Sequence, residues 1–217
     1  MFPAMESVIP SLFSSLPPLL LSLPPPLRLF PLQANCYSQF RSNWTTDQEG
    51  NYSAPISSPT GIASDPALAA YGVKQAAELC QHAAKLDPKV ERIYSSPFYR
   101  CPETINPLAE QLDLPILCDN GIGEWYGVAR FEHPSPAAPE MLHQFFPRVQ
   151  TGYNPTIIPS TQGETLAETH DRTAYAVAKI ITDIDREWKE SGTGPRAIML
   201  VAHASSVITA GRALTGT

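Results

Sequence analysis

The sequence predicts an α/β domain, a three-layer sandwich around a mostly parallel sheet, and three observations carry that prediction. Short β-prone runs alternate with longer helical patterns from about residue 66 onward. One run, Ala197-Ile198-Met199-Leu200-Val201-Ala202, is continuously apolar, as a parallel strand covered on both faces should be. A length of 217 residues with 43% hydrophobic content is enough for one domain with a substantial core and tight for two.

Residues 1–35, at the start of the chain, are crowded with Pro, Leu and Ser and carry Glu6 and Arg28 as their charges. Prolines at 10, 17, 18, 24, 25, 26 and 31 remove backbone donors, which predicts a disordered or polyproline-like tail and argues against a transmembrane helix or central strand. The stretch before the apolar run holds no Lys or Arg, and no small-residue cleavage site comes after it, so it does not read as a secretory signal. The domain proper is expected over residues 36–217.

From Phe40 to Pro66 the chain is rich in Ser, Thr, Asn, Pro and Gly without a period, as in a long functional loop. A helix is expected from Pro66, capped by Asp65, with Leu68, Val73, Ala76, Ala77, Leu79 and Cys80 as its apolar face, Gly72 weakening it and Asp87-Pro88 ending it. Val90 to Tyr94 reads as a strand that leads through Ser95-Ser96-Pro97 into a helix reaching Leu112 despite Pro102 and Pro107. Pro115 to Cys118 is a further short strand. Residues 120–162, rich in Pro, Gly and aromatics, read as an insertion over one end of the sheet. Glu164 to Glu190 gives the longest helical pattern, with Leu166, Tyr175, Ala178, Ile181, Ile184 and Trp188 facing the core and Gly192-Thr193-Gly194-Pro195 stopping it. After the apolar strand, a short helix runs to Leu214.

The balance of 15 Lys+Arg against 21 Asp+Glu, net charge -6, argues against a general footprint for nucleic acid or anionic lipid. Any anion site must be local. Cys36, Cys80, Cys101 and Cys118 are widely spaced, which fits neither a disulfide framework nor a zinc site and points to an intracellular compartment, cytoplasmic or nuclear. Asn43-Trp44-Thr45 and Asn51-Tyr52-Ser53 match the glycosylation acceptor pattern, which carries weight in a secreted chain.

In parallel sheets, ligands bind beyond the carboxyl ends of the strands. His203 comes directly after the apolar run and precedes a helix N-terminus that presents free amides to an anion, though a lone histidine is more often structural. Arg100 stands six residues after Tyr94, where a guanidinium can take phosphate bidentately or make a surface ion pair worth little. Glu124, among glycines and aromatics, is expected to have its pKa raised by desolvation toward that of a general acid.

Together these segments resemble the histidine phosphatase superfamily, which is phosphoglycerate mutase-like in fold. The marks are Asp65-Pro66-Ala67-Leu68 with Gly72 and Gln75-Ala76, then Ser95-Ser96-Pro97-Phe98-Tyr99-Arg100 with Thr104, then Glu124 and Gly127, then Gly163-Glu164-Thr165 with Arg172, and last Val201-Ala202-His203-Ala204-Ser205. They stand in family order over roughly residues 40–216. Phe40-Arg41-Ser42-Asn43-Trp44, Ser58-Pro59-Thr60-Gly61 and Asn120 to Tyr126 are most similar to fungal members, which include a phosphatase-like domain in a subunit of the RNA polymerase III initiation factor tau.

The resemblance implies phosphomonoester chemistry without metal or organic cofactor: a histidine nucleophile forms a phosphohistidine that water hydrolyses. It implies Arg41 and Arg100 as phosphate ligands, His203 as the second histidine, also on phosphate, and Glu124 as proton donor to the leaving group. The chain departs from the pattern where it matters most. Tyr37-Ser38-Gln39 stands where Arg-His-Gly should, and Pro31 to Cys36 stands where the first strand should. Ser38 has no evident activating base.

The expected state is therefore a catalytically inactive homologue lacking its first strand and its C-terminal strand, with Leu27 to Cys36 having to substitute in the sheet. Losses at both ends around an intact middle point to an incomplete gene model or splice product. Two alternatives stay open: a phosphate-binding or protein-interaction module, and a phosphoglycerate mutase-type phosphotransferase. The expected ligand is a phosphorylated small molecule or phosphoprotein, with protein partners possible, no direct nucleic-acid contact and no membrane.

Overall fold

The computed structural model describes residues 27–33, 45–46, 52–53, 58–62, 64–128 and 133–216. Strand β1 (Arg28–Gln33) comes first, and after it an antiparallel pair of two-residue strands, β2 (Thr45–Thr46) and β3 (Tyr52–Ser53). Then come α1 (Ala70–Ala83), β4 (Arg92–Ser95), α2 (Arg100–Leu112) and β5 (Ile116–Cys118). A single 3-10 turn at Asn120–Ile122, α3 (Pro139–Phe145), α4 (Leu166–Ser191), β6 (Ala197–Ala202) and α5 (Ala204–Thr215) complete the order.

The main sheet has the order β1-β6-β4-β5 with every pairing parallel. β6 is central, and all six of its residues are buried. Its side chains alternate with the pleat: Met199 and Val201 join one core with Ile93, Ile105, Leu108, Ile116 and Leu142, while Ile198, Leu200 and Ala202 join the other with Tyr94, Ile180, Ile181 and Ile184. Helices α1, α2 and α3 thus cover one face and α4 and α5 the other, which is the three-layer architecture the sequence predicts.

Leu27 to Cys36, expected to have to substitute for the missing first strand, supplies one. Arg28–Gln33 pairs with β6 over six consecutive positions, from Arg28 opposite Ala197 to Gln33 opposite Ala202, so the tail expected to reach residue 35 contributes a strand. Phe30 packs toward one core and Leu27 and Leu29 toward the other. Proline content does not decide the matter here, because position on the ladder outweighs composition. The Arg28 N–H donates to the Arg196 carbonyl on the β6 side. Donors two residues apart point the same way, so Pro31, three residues on, lacks a donor on the side away from β6. Among the described residues that side is an open sheet edge.

Three smaller expectations also change. α1 begins at Ala70 with Ala69 as its uncapped N-cap, not at Pro66, and Asp65 serves a different helix. Its buried face is Gly72, Ala76, Cys80 and Ala83, while Val73 is half exposed. On α4, Leu166 and Tyr175 face solvent, and the buried stripe runs through Thr169, Arg172, Thr173, Ala176, Val177, Ile180, Ile181 and Ile184. Residues 120–162 are not a mere insertion, since Ile122, Leu142, Phe146 and Val149 are core residues and Val149 bridges Ile116 of β5.

The ends of α4 fall where the sequence places them. Thr165 and Glu168 form a capping box, and Gly192 at φ 72° terminates the helix in the left-handed region. None of the helices described is long and apolar enough to cross a membrane.

Candidate functional site

β4 and β6 run parallel and end side by side, with Ser95 opposite Val201. The chain leaving β4 therefore delivers Ser96 and Arg100, through the turn into α2, to the same sheet edge where the chain leaving β6 delivers His203. The Ser96 N–H donates to the Val201 carbonyl at 2.8 Å, which fixes the two exits relative to each other. The structure thus brings Arg100, Glu124 and His203 together. Arg41 and the stretch Tyr37-Ser38-Gln39 lie outside the described residues.

Arg100 is 3% exposed and its guanidinium lies between two carboxylates. Nη2 donates to Glu124 Oε2 at 2.7 Å and Nη1 approaches Asp65 Oδ1 at 3.4 Å. His203, 2% exposed, has Nδ1 within 3.1 Å of both Arg100 Nη2 and Glu124 Oε2, and Nε2 within 2.7 Å of the Ser96 hydroxyl. The Phe98 ring closes over the pair, edge-on to the imidazole at 5.6 Å and facing the Arg100 guanidinium carbon at 5.6 Å. This geometry can hold an oxyanion on a buried cation beside an imidazole and a carboxyl group.

The electrostatics differ from the sequence expectation at Glu124. Burial works against its ionisation, as expected, but the His203 imidazole and the Arg100 guanidinium beside it outweigh that and bring the carboxyl down to about 2. Glu124 is thus an ionised partner of Arg100. Burial acts the other way on His203, favouring the neutral imidazole. Asp65 has no exposure, and burial raises it to about 6 despite hydrogen bonds from the Tyr99 N–H and the charge of Arg100. Cys101 Sγ lies 3.5 Å from His203 Nε2, but full burial pushes its thiol pKa far upward, so no thiolate nucleophile forms there.

Sequence reasoning missed the residues that hold this cluster. Asp65 accepts the Tyr99 N–H with both oxygens, at 2.8 and 2.9 Å, and so caps the start of α2 from 34 residues away. Its place in Asp65-Pro66 imitates a local cap, and sequence carries no signal for the distant one. Glu124 is placed by a second network. The Asp119 carboxylate accepts from the Gly121 N–H, the Tyr153 hydroxyl and both the N–H and hydroxyl of Thr156, at 2.6 to 2.9 Å.

From α4, Arg172 Nε donates to both oxygens of Glu164 at 2.8 and 2.9 Å, and its Nη1 donates to the Gly121 carbonyl at 2.9 Å. The Glu164 carbonyl in turn accepts from the Trp125 indole at 2.8 Å. Gly121 admits no side chain, because a Cβ there would meet Ala176 Cβ and Thr156 Oγ1 at 2.5 Å. The Glu164 and Arg172 marks of the sequence thus act on Glu124 through the backbone that carries it.

Beside Glu124 and Phe98 lies a cleft of about 250 Å³, walled by residues 134–139 on one side and 158–161 on the other. The His133 N–H donates to the Thr161 carbonyl and ties the two walls together.

A family model described as Histidine phosphatase superfamily (branch 1) matches residues 50–217. The transcription factor tau 55 kDa subunit of Saccharomyces cerevisiae is 40% identical over 179 residues, 82% of this chain and 39% of that protein, so the chain spans about two fifths of that relative. Among solved structures, ecdysone phosphate phosphatase from Bombix mori in complex with tungstate matches with a TM-score of 0.59 at 20% identity, covering 74% of this chain and 62% of that one. Mycobacterial hydrolase 2 matches with a TM-score of 0.50 at 17% identity, covering 88% and 72%. These two likenesses speak to fold. Over three quarters of its length, from the β3 region to its last residue, this chain belongs to the histidine phosphatase superfamily (branch 1).

Proposed function

We propose that this domain captures a phosphomonoester at Arg100 and His203 and does not turn it over. The observation that carries the reading is the pairing of an assembled anion cluster with an empty place in the sequence. The register sets Gln33 opposite Ala202, so the chain leaving β1 starts beside His203. The next residues are Ala34-Asn35-Cys36, and no histidine precedes His82. A phosphohistidine mechanism needs a histidine delivered to that edge, in line with the leaving group.

The parts that remain are suited to binding. Arg100 supplies a buried cation, His203 a hydrogen bond, and the first amides of α5, behind the N-cap His203, the positive end of a helix. On this reading a phosphate replaces Glu124 on Arg100. Glu124, parted from its cation and set beside a dianion, then takes up a proton, which is where its acid role would arise. Arg41 would add a second guanidinium.

The likeness to the tau 55 kDa subunit favours a second role, in which the same domain serves as part of a transcription factor subunit. The test uses the purified full chain, titrated with inorganic phosphate by calorimetry and assayed in parallel for phosphate release from an aryl phosphate. Saturable binding that Arg100→Ala abolishes, with no release, supports the reading. Release above the level of Arg100→Ala overturns the non-catalytic part, and absence of millimolar phosphate binding overturns the capture itself.

A further inference from the structure

Resting on that capture reading, we infer that the cleft beside Glu124 is built to hold the organic half of the ligand, and that this half is an uncharged ring, as in an aryl phosphomonoester. Phe98 joins the two places: one side of its environment is the Arg100–His203 pair and the other is the cleft wall. A phosphoryl group on Arg100 would therefore direct its ester oxygen past Glu124 into the cleft.

Size and lining select the occupant. The cleft is about 250 Å³. An apolar cavity of about 150 Å³ already accepts benzene, while drug-sized ligands occupy pockets from about 300 Å³ upward, so one ring or a fused pair fits here. Its walls are Pro97, Phe98, Ala137, Pro139, Ile158 and their neighbours, and among the described residues no lysine or arginine lines it. Among the described residues, the titratable groups that line it are Glu124 and His133. A second anionic group on the ligand, such as the carboxylate of a phosphoglycerate, would lie beside the bound phosphate and find no cation among the described lining residues. The same lining therefore argues against a phosphoglycerate mutase-type substrate.

The walls are braced without a ligand. The two segments are joined through His133 and Thr161, and Val128 bridges Gly163 just below them. The Tyr126 ring stacks edge-on to His133 at 4.6 Å and tilts against Phe98 at 5.6 Å, so two of the lining rings are packed against a third behind them.

The test compares three probes on the purified full chain by calorimetry: inorganic phosphate, phenyl phosphate and 3-phosphoglycerate. Phenyl phosphate is expected to bind roughly tenfold more tightly than inorganic phosphate, the gain expected from burying part of one ring face. 3-Phosphoglycerate is expected to bind no more tightly than inorganic phosphate. Ile158 is 72% exposed at the cleft rim, so Ile158→Asp is tolerated by the fold. It should remove the preference for phenyl phosphate and leave inorganic phosphate affinity within about twofold.

If phosphate binds and phenyl phosphate gains nothing, or if Ile158→Asp leaves the preference intact, the cleft assignment is wrong while the capture reading stands. If neither probe binds, both fall.

Discussion

Replacing Glu124 by glutamine keeps the shape of the side chain and removes the anion that occupies Arg100. The lowering of this carboxyl from 4.5 to about 2 corresponds to roughly 3 kcal/mol of preference for the ionised form in the empty site. A phosphate that takes Arg100 must displace that carboxylate, so this figure is a ceiling on the cost of the lost interaction. The side chain is 23% exposed, and solvent screening together with the neutral state favoured for His203 reduces the ceiling to about 1–2 kcal/mol.

Glu124→Gln should therefore bind inorganic phosphate roughly five- to thirtyfold more tightly than the parent at pH 7. Calorimetry in buffers of different ionisation enthalpy adds a second readout, because the parent should take up a proton on binding near pH 5 to 6 and the variant should not. Equal or weaker affinity in Glu124→Gln, with Arg100→Ala abolishing binding in both backgrounds, would show that Glu124 and phosphate do not compete for one guanidinium and would refute the exchange.

Other parts of the site give three further outcomes. Asp65 is raised in the folded state to about 6 from 3.8, so its contribution to stability is fully present below pH 3.8 and is lost as pH rises through 6. Urea unfolding of the parent and Asp65→Asn at pH 4 and pH 7 should show the difference moving by about 1–3 kcal/mol in favour of the variant at the higher pH. Glu124 has the opposite sign, with stability present above pH 4.5 and lost as pH falls toward 2, so the two groups act in opposite directions across the acid range. Arg172→Met leaves Glu164 buried without its bidentate partner and should cost about 3–5 kcal/mol in chemical denaturation. Gly121→Ala should weaken phosphate binding more than it lowers Tm, because the clash with Ala176 and Thr156 falls on the turn that carries Glu124.

What the sequence disclosed and what it hid divide along a physical line. Patterns internal to one element were legible: the apolar run of β6, the capping box and glycine stop of α4, and the short strands and the helix around Arg100 all stand where local chemistry puts them. The meeting of Arg100 and His203 was legible too, because parallel strands end at a common edge and these residues stand just beyond two of them. What failed were inferences about polar groups whose partners lie far along the chain. Asp65 read as a local cap and turned out to cap a helix 34 residues away, and Glu124 read as a desolvated acid because its cation was not adjacent in sequence.

Pro31 teaches the converse lesson. Seven prolines counted against a central strand in the tail, and the strand that forms lies, among the described residues, at an edge, where donors are needed on one side only; the single register that pairs Arg28 with Ala197 puts Pro31 on the undemanding side. Shifting that register by one residue would turn the missing donor onto β6 and send Phe30 to the opposite core, so the proline that counted against the strand also fixes which alignment it can adopt.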